Sequence, residues 1–466
     1  MTAKQIIRLS TIFLATMLLV SGVCLAFGMG RLLFYVPSFP EQRVPGTASA
    51  IIEIDDTPIE TTLTTGDGKP STIPGSWSRF RGDDFDAISK ETIPLKRSLD
   101  EDNPPVLWGV ALGEGFAGPA VKHGCVYLLD YDMEEKRDAL RCLSFEDGKE
   151  IWRYSYPVRI KKNHGMSRSI PAVTEKYCVT IGPKCHAVCV DAMTGEEKWF
   201  IDLKKVYGTV EPEWYAAQCP LIADDVAILA PAGPEALLTA IDGETGQERW
   251  RTPNPFGWTM THSSVMPMEL NGRKTYIYCG KGGVVGVDAA NGTILWSTSD
   301  WQIEIATCPS PVVLPDNRVF FCGGYKAGSL MLQILPNDEP QTLFRLNDRV
   351  FGSEQQTPIF FDGHLFGIRQ NDKEFVCLDL DGKVVWHSGS KGRFGGGPYI
   401  LADGIFLLLD DDGKLTACEA TTKGFYPIFE AQILDDHGCW APLALVAGRL
   451  LLRDQVYMKC LDLRNF

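Results

Sequence analysis

Seven polar side chains stand just before short apolar runs, most of which open with a small or polar residue and a proline. They are Glu114, Arg168, Gln218, His262, Gln355, Arg393 and His437. Carboxylate, guanidinium, amide and imidazole groups gathered around one point can bind a small ligand. Trp214, Trp258 and Trp440 stand near them in the chain. These residues are candidate ligand-binding residues, and the alternative is that all seven are solvated loop residues.

The fourteen cysteines do not form a recognisable metal or haem pattern. Five of them occupy a repeated place that alanine or glycine fills elsewhere: Cys142, Cys189, Cys377, Cys418 and Cys460. A place that accepts only small residues predicts a crowded, buried strand, in which free cysteine behaves as a small hydrophobe. A disulfide between Cys308 and Cys322 stays open. Residues 410–413 predict a hairpin turn rather than a calcium loop, because no glutamate follows at the required distance.

A repeated unit must position these side chains. Residues 276–296 consist of three apolar runs separated by two glycine-containing turns, which predicts an antiparallel meander. One tryptophan phase recurs along the chain every 42 to 51 residues, about the length of a four-stranded propeller blade. The marks are Trp108, Trp152, Trp199, Trp250, Trp296 and Trp386, with Phe344 and Phe429 in two further copies. A tryptophan at one phase of every copy predicts packing between adjacent sheets.

The repeats number eight, and the chain ends indicate how the ring closes. The last copy stops at Phe466 without a tryptophan strand, whereas Trp108 stands at the front with no strands before it to complete. We therefore expect the early strand to complete the last blade, which removes the open edges of a circular array. The predicted fold class is all-β, an eight-bladed β-propeller with four antiparallel strands per blade.

The repeat, a Leu-Asp or similar pair followed by Thr-Gly and Trp, resembles the pyrroloquinoline-quinone (PQQ) repeat of eight-bladed propellers over residues 104–466. That family includes quinoprotein alcohol dehydrogenases and the non-catalytic, periplasmic BamB type of outer-membrane-protein assembly factor, to which this chain is closest in kind. The segment Trp77-Ser78-Arg79-Phe80-Arg81-Gly82 is similar to the lead-in of many members.

Within the family, a dehydrogenase needs cations for the carboxylates of PQQ, a calcium site and a base. The resemblance would give the first role to Arg168 and Arg393, and the nearest candidates for calcium and base are Glu114, Asn163 and Glu304. The chain has no Cys-Cys dipeptide, which the alcohol dehydrogenases characteristically have beside the quinone. We therefore expect no catalytic residues, no metal and no cofactor, with a PQQ- and calcium-dependent dehydrogenase or a small-ligand sensor as alternatives.

The N-terminus predicts membrane attachment. Residues 1–10 form a short cytoplasmic segment with Lys4 and Arg8, and residues 11–36 predict a transmembrane signal anchor. A cleaved signal peptide ending near Cys24-Leu25-Ala26 is the alternative. Residues 37–76 have the composition of a flexible linker, and residues 77–466 form the propeller.

The net charge of −14 argues against a nucleic-acid surface. The sequence thus predicts a monomeric, single-pass membrane protein whose propeller lies on the periplasmic or extracytoplasmic side. Its expected partners are proteins at the membrane or cell envelope, for which it acts as a non-catalytic scaffold.

Overall fold

The computed structural model describes residues 59–99, 103–161, 166–303 and 305–465, and in these residues the chain forms 33 β-strands and one short helix. Alternating apolar residues bounded by glycine, aspartate and asparagine turns produce strands of two to eight residues. The strands assemble into eight antiparallel sheets. The predicted eight-bladed propeller is therefore confirmed.

The strand bounds follow the blades. Two strands precede them, β1 (Thr62–Thr65) and β2 (Val106–Ala111). Blade 1 comprises β3 (Ala120–Lys122), β4 (Cys125–Asp132), β5 (Arg137–Ser144) and β6 (Glu150–Pro157). Blade 2 comprises β7 (Ala172–Val173), β8 (Tyr177–Ile181), β9 (His186–Asp191) and β10 (Glu197–Asp202). Blade 3 comprises β11 (Leu221–Ala223), β12 (Val226–Leu229), β13 (Leu238–Asp242) and β14 (Glu248–Thr252). Blade 4 comprises β15 (Met266–Leu270), β16 (Arg273–Gly280), β17 (Gly283–Asp288) and β18 (Ile294–Thr298).

The remaining blades have the same plan. Blade 5 comprises β19 (Val312–Leu314), β20 (Arg318–Gly323), β21 (Gly328–Ile334) and β22 (Pro340–Leu346). Blade 6 comprises β23 (Ile359–Phe361), β24 (His364–Ile368), β25 (Phe375–Leu378) and β26 (Val384–His387). Blade 7 comprises β27 (Tyr399–Ala402), β28 (Ile405–Leu409), β29 (Lys414–Glu419) and β30 (Pro427–Gln432). Blade 8 comprises β31 (Ala444–Val446), β32 (Arg449–Arg453) and β33 (Tyr457–Asp462), and its fourth strand is β2.

The first strands of neighbouring blades contact one another and surround the axis, as β3 does with β7 and β31. Two faces result. We call the face that carries the connections between blades, such as residues 203–220, 253–265 and 305–311, the loop face. The opposite face carries the tight turns between the first two strands of each blade, and we call it the turn face. The apolar core is divided into clusters of side chains packed between adjacent blades.

Strand β2 closes the ring as the sequence predicted. It pairs antiparallel with β33, with Trp108 opposite Cys460. The Trp108 indole N–H donates to the carbonyl of Phe145 in blade 1 at 3.1 Å, so this strand also joins the last blade to the first.

The repeat tryptophans contact a turn of the following blade. The Trp152 indole N–H donates to Met193 O at 3.0 Å, and that of Trp199 donates to Gly243 O at 3.0 Å. A glycine at positive φ lies against the ring in the same turn, and a Cβ on Gly195 (φ 76°) would approach Trp152 to 2.7 Å. The equivalent turn of blade 5 has no glycine, and the buried indole N–H of Trp296 has no hydrogen-bond partner.

A segment that precedes the blades closes the turn-face end of the axis. We call residues 77–89 the plug. Trp77 forms a backbone bridge to Val121 in blade 1, and Ile88 forms one to Leu401 in blade 7. Between them, the buried Arg81 donates to the carbonyls of Thr357 (2.9 Å) and Pro358 (2.9 Å) in blade 6. The plug therefore connects blades that are distant in the chain.

Part of the segment expected as a linker is folded. Strand β1 pairs antiparallel with β6, with Leu63 opposite Tyr154, so blade 1 has five strands. All four residues of β1 are exposed, so the strand buries no apolar face. An alternation of apolar and polar residues could therefore not be used to predict it. The predicted cytoplasmic segment, the anchor at 11–36 and the linker up to residue 58 lie outside the described residues. Within the described residues, no helix has the length and apolar character needed to span a bilayer.

The thirteen described cysteines are free thiols. The five repeated cysteines are all buried, as their crowded positions predicted. Cys308 and Cys322 are not joined. Residues 410–413 form the turn between β28 and β29, in which Asp410 accepts backbone hydrogen bonds from Asp412 (3.0 Å) and Lys414 (2.8 Å).

Candidate binding site at the propeller axis

A small cavity of about 70 Å³ lies on the axis, between the plug and the loop face. Six of its lining residues occupy one repeated position, three residues before the proline of the innermost strand. Blade 4 has no such proline, and the position there is counted from the residue in its place. They are Phe116, Arg168, Ala217, His262, Cys308 and Gln355. Because the blades are related by rotation about the axis, equivalent residues converge there. We call this cavity the axial pocket.

Hydrogen bonds between blades fix the walls of the axial pocket. The backbone N–H of Ile170 donates to Cys219 Sγ (3.3 Å), and that of Cys219 donates to Ser264 Oγ (2.9 Å). The chain of bonds continues from Ser264 N–H to Ser310 Oγ (2.9 Å) and from Ser310 N–H to Thr357 Oγ1 (2.9 Å). Buried bonds of this kind hold five successive blades in register.

Aromatic rings and one cation form one wall. The Arg168 guanidinium lies 5.0 Å from the ring centre of Phe116, and Phe116 stacks on Trp440 with ring centres 4.9 Å apart. The Trp440 indole N–H donates to Asp411 Oδ1 at 2.6 Å, which fixes the ring. Burial lowers the pKa of Arg168 to about 10, so the side chain stays protonated at neutral pH.

An imidazole and a thiol form the opposite wall. His262 Nε2 lies 2.8 Å from Glu213 O and 2.9 Å from Tyr215 O. Both partners are acceptors, so Nε2 carries the proton and Nδ1 is an acceptor in the neutral ring. Cys308 Sγ lies 3.6 Å from that Nδ1, and the thiol is the donor.

The pKa values keep this pair neutral. Burial, with a contribution from the Arg168 charge, lowers the pKa of His262 to about 4. Burial raises the pKa of the Cys308 thiol to about 12, although the Arg168 charge acts in the opposite direction. A thiol and an imidazole at this distance resemble a nucleophile and its base, but transfer of the proton would create two charges where each is disfavoured.

Two strained loops lie beside the pocket on the loop face. Trp214 and Tyr325 stack with ring centres 6.0 Å apart, and both have positive φ, 59° and 53°. Their neighbours Tyr215 and Lys326 also have positive φ, both 72°. Non-glycine residues in this conformation cost free energy and tend to cluster at functional sites.

A family model described as "Outer membrane protein assembly factor BamB" matches residues 136–381, which is more than half of the chain. The chain belongs to the BamB family. The match runs from the turn before β5 in blade 1 to the turn after β25 in blade 6, so it covers the repeats that form most of the axial pocket. No curated protein was found to match the sequence.

Solved structures support the propeller fold of this BamB-family chain. BamB from Moraxella catarrhalis is 14% identical with a TM-score of 0.55, and the match covers 77% of this chain and 100% of that one. A europium-containing methanol dehydrogenase is 12% identical with a TM-score of 0.58, with 82% and 90% covered. The computationally designed protein Ika8 is 13% identical with a TM-score of 0.52, with 77% and 99% covered. At these identities the likeness concerns the fold alone.

The structure brings Arg168, His262 and Gln355 together in the axial pocket. The other four sequence candidates do not line it. Gln218 is buried and braces blade 3, because its side chain donates to Ala230 O (3.1 Å) and accepts from Ala230 N–H (2.9 Å).

Three of those four candidates stand five residues before the inner proline rather than three. Arg393 is exposed, and its backbone bridges to Glu374. His437 is exposed, with Nδ1 2.6 Å from Asp412 Oδ1. Glu114 is half-buried, and its carbonyl accepts from Met166 N–H at 3.2 Å.

Sequence reasoning did not propose Cys308, Phe116 or Gln356 as pocket residues. A sequence signal for the first two was present, because both stand three residues before the inner proline. Counting from the proline, rather than choosing polar side chains near it, would have identified them.

The axial pocket does not fit PQQ with calcium. Ligand pockets usually measure about 300–1,000 Å³, whereas the axial pocket has about 70 Å³. Among its described lining residues there is one cation, Arg168, and no carboxylate. No group of three or more potential metal ligands occurs in the described residues. Asn163 and Glu304 lie outside them.

Proposed function

We propose that this BamB-family protein is a non-catalytic binding scaffold of the cell envelope. Residues 11–36 anchor it in the membrane, the propeller lies outside the cytoplasm, and its ligands are proteins. It works without a quinone or metal. The family description, the small volume of the axial pocket and the neutral thiol–imidazole pair support this proposal over an enzymatic role.

The observation that carries the proposal is a set of exposed apolar side chains on the loop face. Val206 (48% exposed), Val210 (56%), Phe256 (40%) and Ile305 (45%) lie on three successive connections, between blades 2 and 5. The stacked pair of Trp214 and Tyr325 lies on the same face. Several large apolar side chains that stay exposed on one face are typical of protein-binding surfaces, and aromatic residues are enriched there.

Site-specific photo-crosslinking in native membranes tests this interface. A benzophenone amino acid is placed at Val210 or Phe256, and at Met193 or Tyr426 on the opposite face as matched exposed controls. We expect a discrete protein adduct from the loop-face positions alone, and V206D should abolish it. Equal adducts from both faces, or none, would contradict the proposal.

Titration of the full chain with PQQ and Ca²⁺, followed by absorbance and calorimetry, tests the dehydrogenase alternative. We expect no saturable binding at high micromolar quinone. One-to-one binding would overturn the non-catalytic proposal and would direct mutagenesis to Arg168.

A further inference from the structure

A second, larger cavity lies on the turn face, where the plug passes blades 3 and 4. It has a volume of about 390 Å³, within the usual range of ligand pockets. Its floor consists of apolar residues from β11, β15 and β16: Leu221, Ile222, Pro267 and Tyr276. We call this cavity the plug groove. It is separate from the axial pocket and from the loop face.

The plug contributes the other wall with one cation and one ring. Arg79 Nη1 donates to Ile222 O at 3.1 Å, and Nε donates to Ser78 Oγ at 3.1 Å. The guanidinium lies 5.1 Å from the ring centre of Phe85. Phe85 has φ 61°, a conformation that is costly for a bulky residue and is retained here with its ring against Arg79.

The charges around the groove differ in how well they are neutralised. Lys274 pairs with Asp224 at 2.9 Å on the exposed rim, and Glu269 is exposed to solvent. Arg79 forms no ion pair within 4.0 Å among the described residues. Asp83 and Asp84 are close enough to act on its charge, but Asp83 already accepts hydrogen bonds from Ser78. Arg79 is thus a half-buried cation at one end of an apolar cavity.

We propose that the plug groove binds a single-chain carboxylate amphiphile, with its carboxylate on Arg79 and its alkyl chain along Leu221, Ile222 and Pro267. A guanidinium binds a carboxylate through charge-assisted hydrogen bonds, which are stronger next to a low-dielectric surface. Burial of the alkyl chain against the floor supplies the remaining binding energy. This proposal does not depend on the scaffold function, because the two sites lie on opposite faces.

The test uses the full chain in lipid nanodiscs and a dodecanoate that carries a diazirine near the end of its chain. After irradiation, mass spectrometry of proteolytic fragments locates the label. We expect saturable labelling within residues 221–224 and 266–276, competed by unlabelled dodecanoate. The corresponding dodecanol probe should label at least tenfold less, because it lacks the charge that Arg79 binds.

Three variants separate the contributions. Ala223→Trp, at a partly exposed lining position of β11, fills the groove and should reduce labelling at least tenfold. Arg79→Gln should weaken the carboxylate probe about tenfold and leave the dodecanol probe unchanged, whereas Arg349→Gln, which removes an exposed cation between blades 5 and 6, should have no effect. Thermal unfolding checks the fold of each variant, and if Arg79→Gln does not fold, Ala223→Trp and the acid–alcohol comparison still decide. Dispersed labelling, or labelling unaffected by Ala223→Trp, would overturn the proposal, as would displacement of the probe only by a peptide.

Discussion

Cys308 illustrates how burial controls the chemistry of a residue in the axial pocket. It is the one described cysteine that keeps partial exposure, yet desolvation raises the pKa of its thiol to about 12. The thiolate is the reactive form, so we expect iodoacetamide to alkylate Cys308 in the native protein at pH 7.5 far more slowly than a free cysteine, at least tenfold. Mass spectrometry measures the rate, and the chain in guanidinium is the control. Rapid alkylation of the native protein at pH 7.5 would show that the His262–Cys308 pair ionises.

A second prediction concerns the buried carboxyl group of Asp138 and the pH dependence of stability. It is buried and accepts hydrogen bonds from Tyr156 Oη (2.8 Å) and Ser167 Oγ (2.9 Å), and desolvation raises its pKa to about 7. Its ordinary value is 3.8, so between these values the folded state binds the proton more strongly than the unfolded state. The contribution of Asp138 to the free energy of unfolding therefore rises as the pH falls from 8 towards 4.

Comparison with Asp138→Asn isolates this contribution, because the amide is neutral at every pH. We expect the variant to be more stable than the wild type at pH 8, and this advantage to shrink as the pH falls to 5. Urea unfolding at several pH values measures it. The wild type alone is not sufficient, since burial lowers the pKa of His186 and His262 to about 4, which acts with the opposite sign. A pH-independent difference would contradict the assignment.

At the same scale, the sequence predicted where the site lies better than which side chains form it. The inner-strand prolines marked the segments that reach the axis, because the repeat is local and periodic. Gln218, one residue nearer the proline, does not line the pocket, because in an extended segment a shift of one residue reverses the side chain. Polarity alone could not distinguish Gln218, which braces Ala230, from Gln355, which lines the pocket.

Two glycines in turns have the same φ but different surroundings. Replacing each by alanine separates the cost of backbone strain from the cost of overpacking. Gly195 and Gly272 both have φ 76°, but a Cβ on Gly195 would lie 2.7 Å from Trp152, whereas a Cβ on Gly272 would have open space. Gly272→Ala should cost about 1–2 kcal/mol, the price of a left-handed conformation alone. Gly195→Ala should cost a further 1–3 kcal/mol or so from overpacking. Chemical denaturation measures both, and equal losses would show that the tryptophan contact contributes nothing.

Other elements show why sequence patterns recovered only part of the fold. The tryptophan and glycine marks repeat because each blade packs on the next, so the blades could be counted. Strand β1 has four exposed residues and no repeat, and it is fixed by pairing with β6. The spacing of apolar residues does not indicate such a strand.

At the scale of the whole molecule, two segments that precede the blades complete the ring in different ways. Strand β2 supplies the fourth strand of blade 8, and the plug joins blades across the axis. The sequence predicted the first, because Trp108 has the mark of an outer strand. It did not predict the second. Most hydrogen bonds of the plug go to backbone carbonyls, and these are present whatever the sequence, so they leave no pattern in it.

Arg81 tests whether the plug stabilises the ring as a unit. It is buried, and its guanidinium donates to four carbonyls, two in the plug (Phe85 and Asp86) and two in blade 6 (Thr357 and Pro358). Arg81→Gln leaves several of these carbonyls without a donor and should lower the free energy of unfolding by about 3 kcal/mol. The exposed Arg349→Gln is the matched control and should change stability little.

Hydrogen exchange then shows how far the effect extends. Ser89 N–H donates to Leu401 O and Leu401 N–H donates to Ala87 O, so these two amides report on the contact between the plug and blade 7. If the plug opens as one cooperative unit, Arg81→Gln accelerates exchange at both, although neither touches Arg81. Acceleration confined to blade 6, with Ser89 and Leu401 still protected, would instead mean that Arg81 only fastens one blade and that the two ends of the plug are held independently.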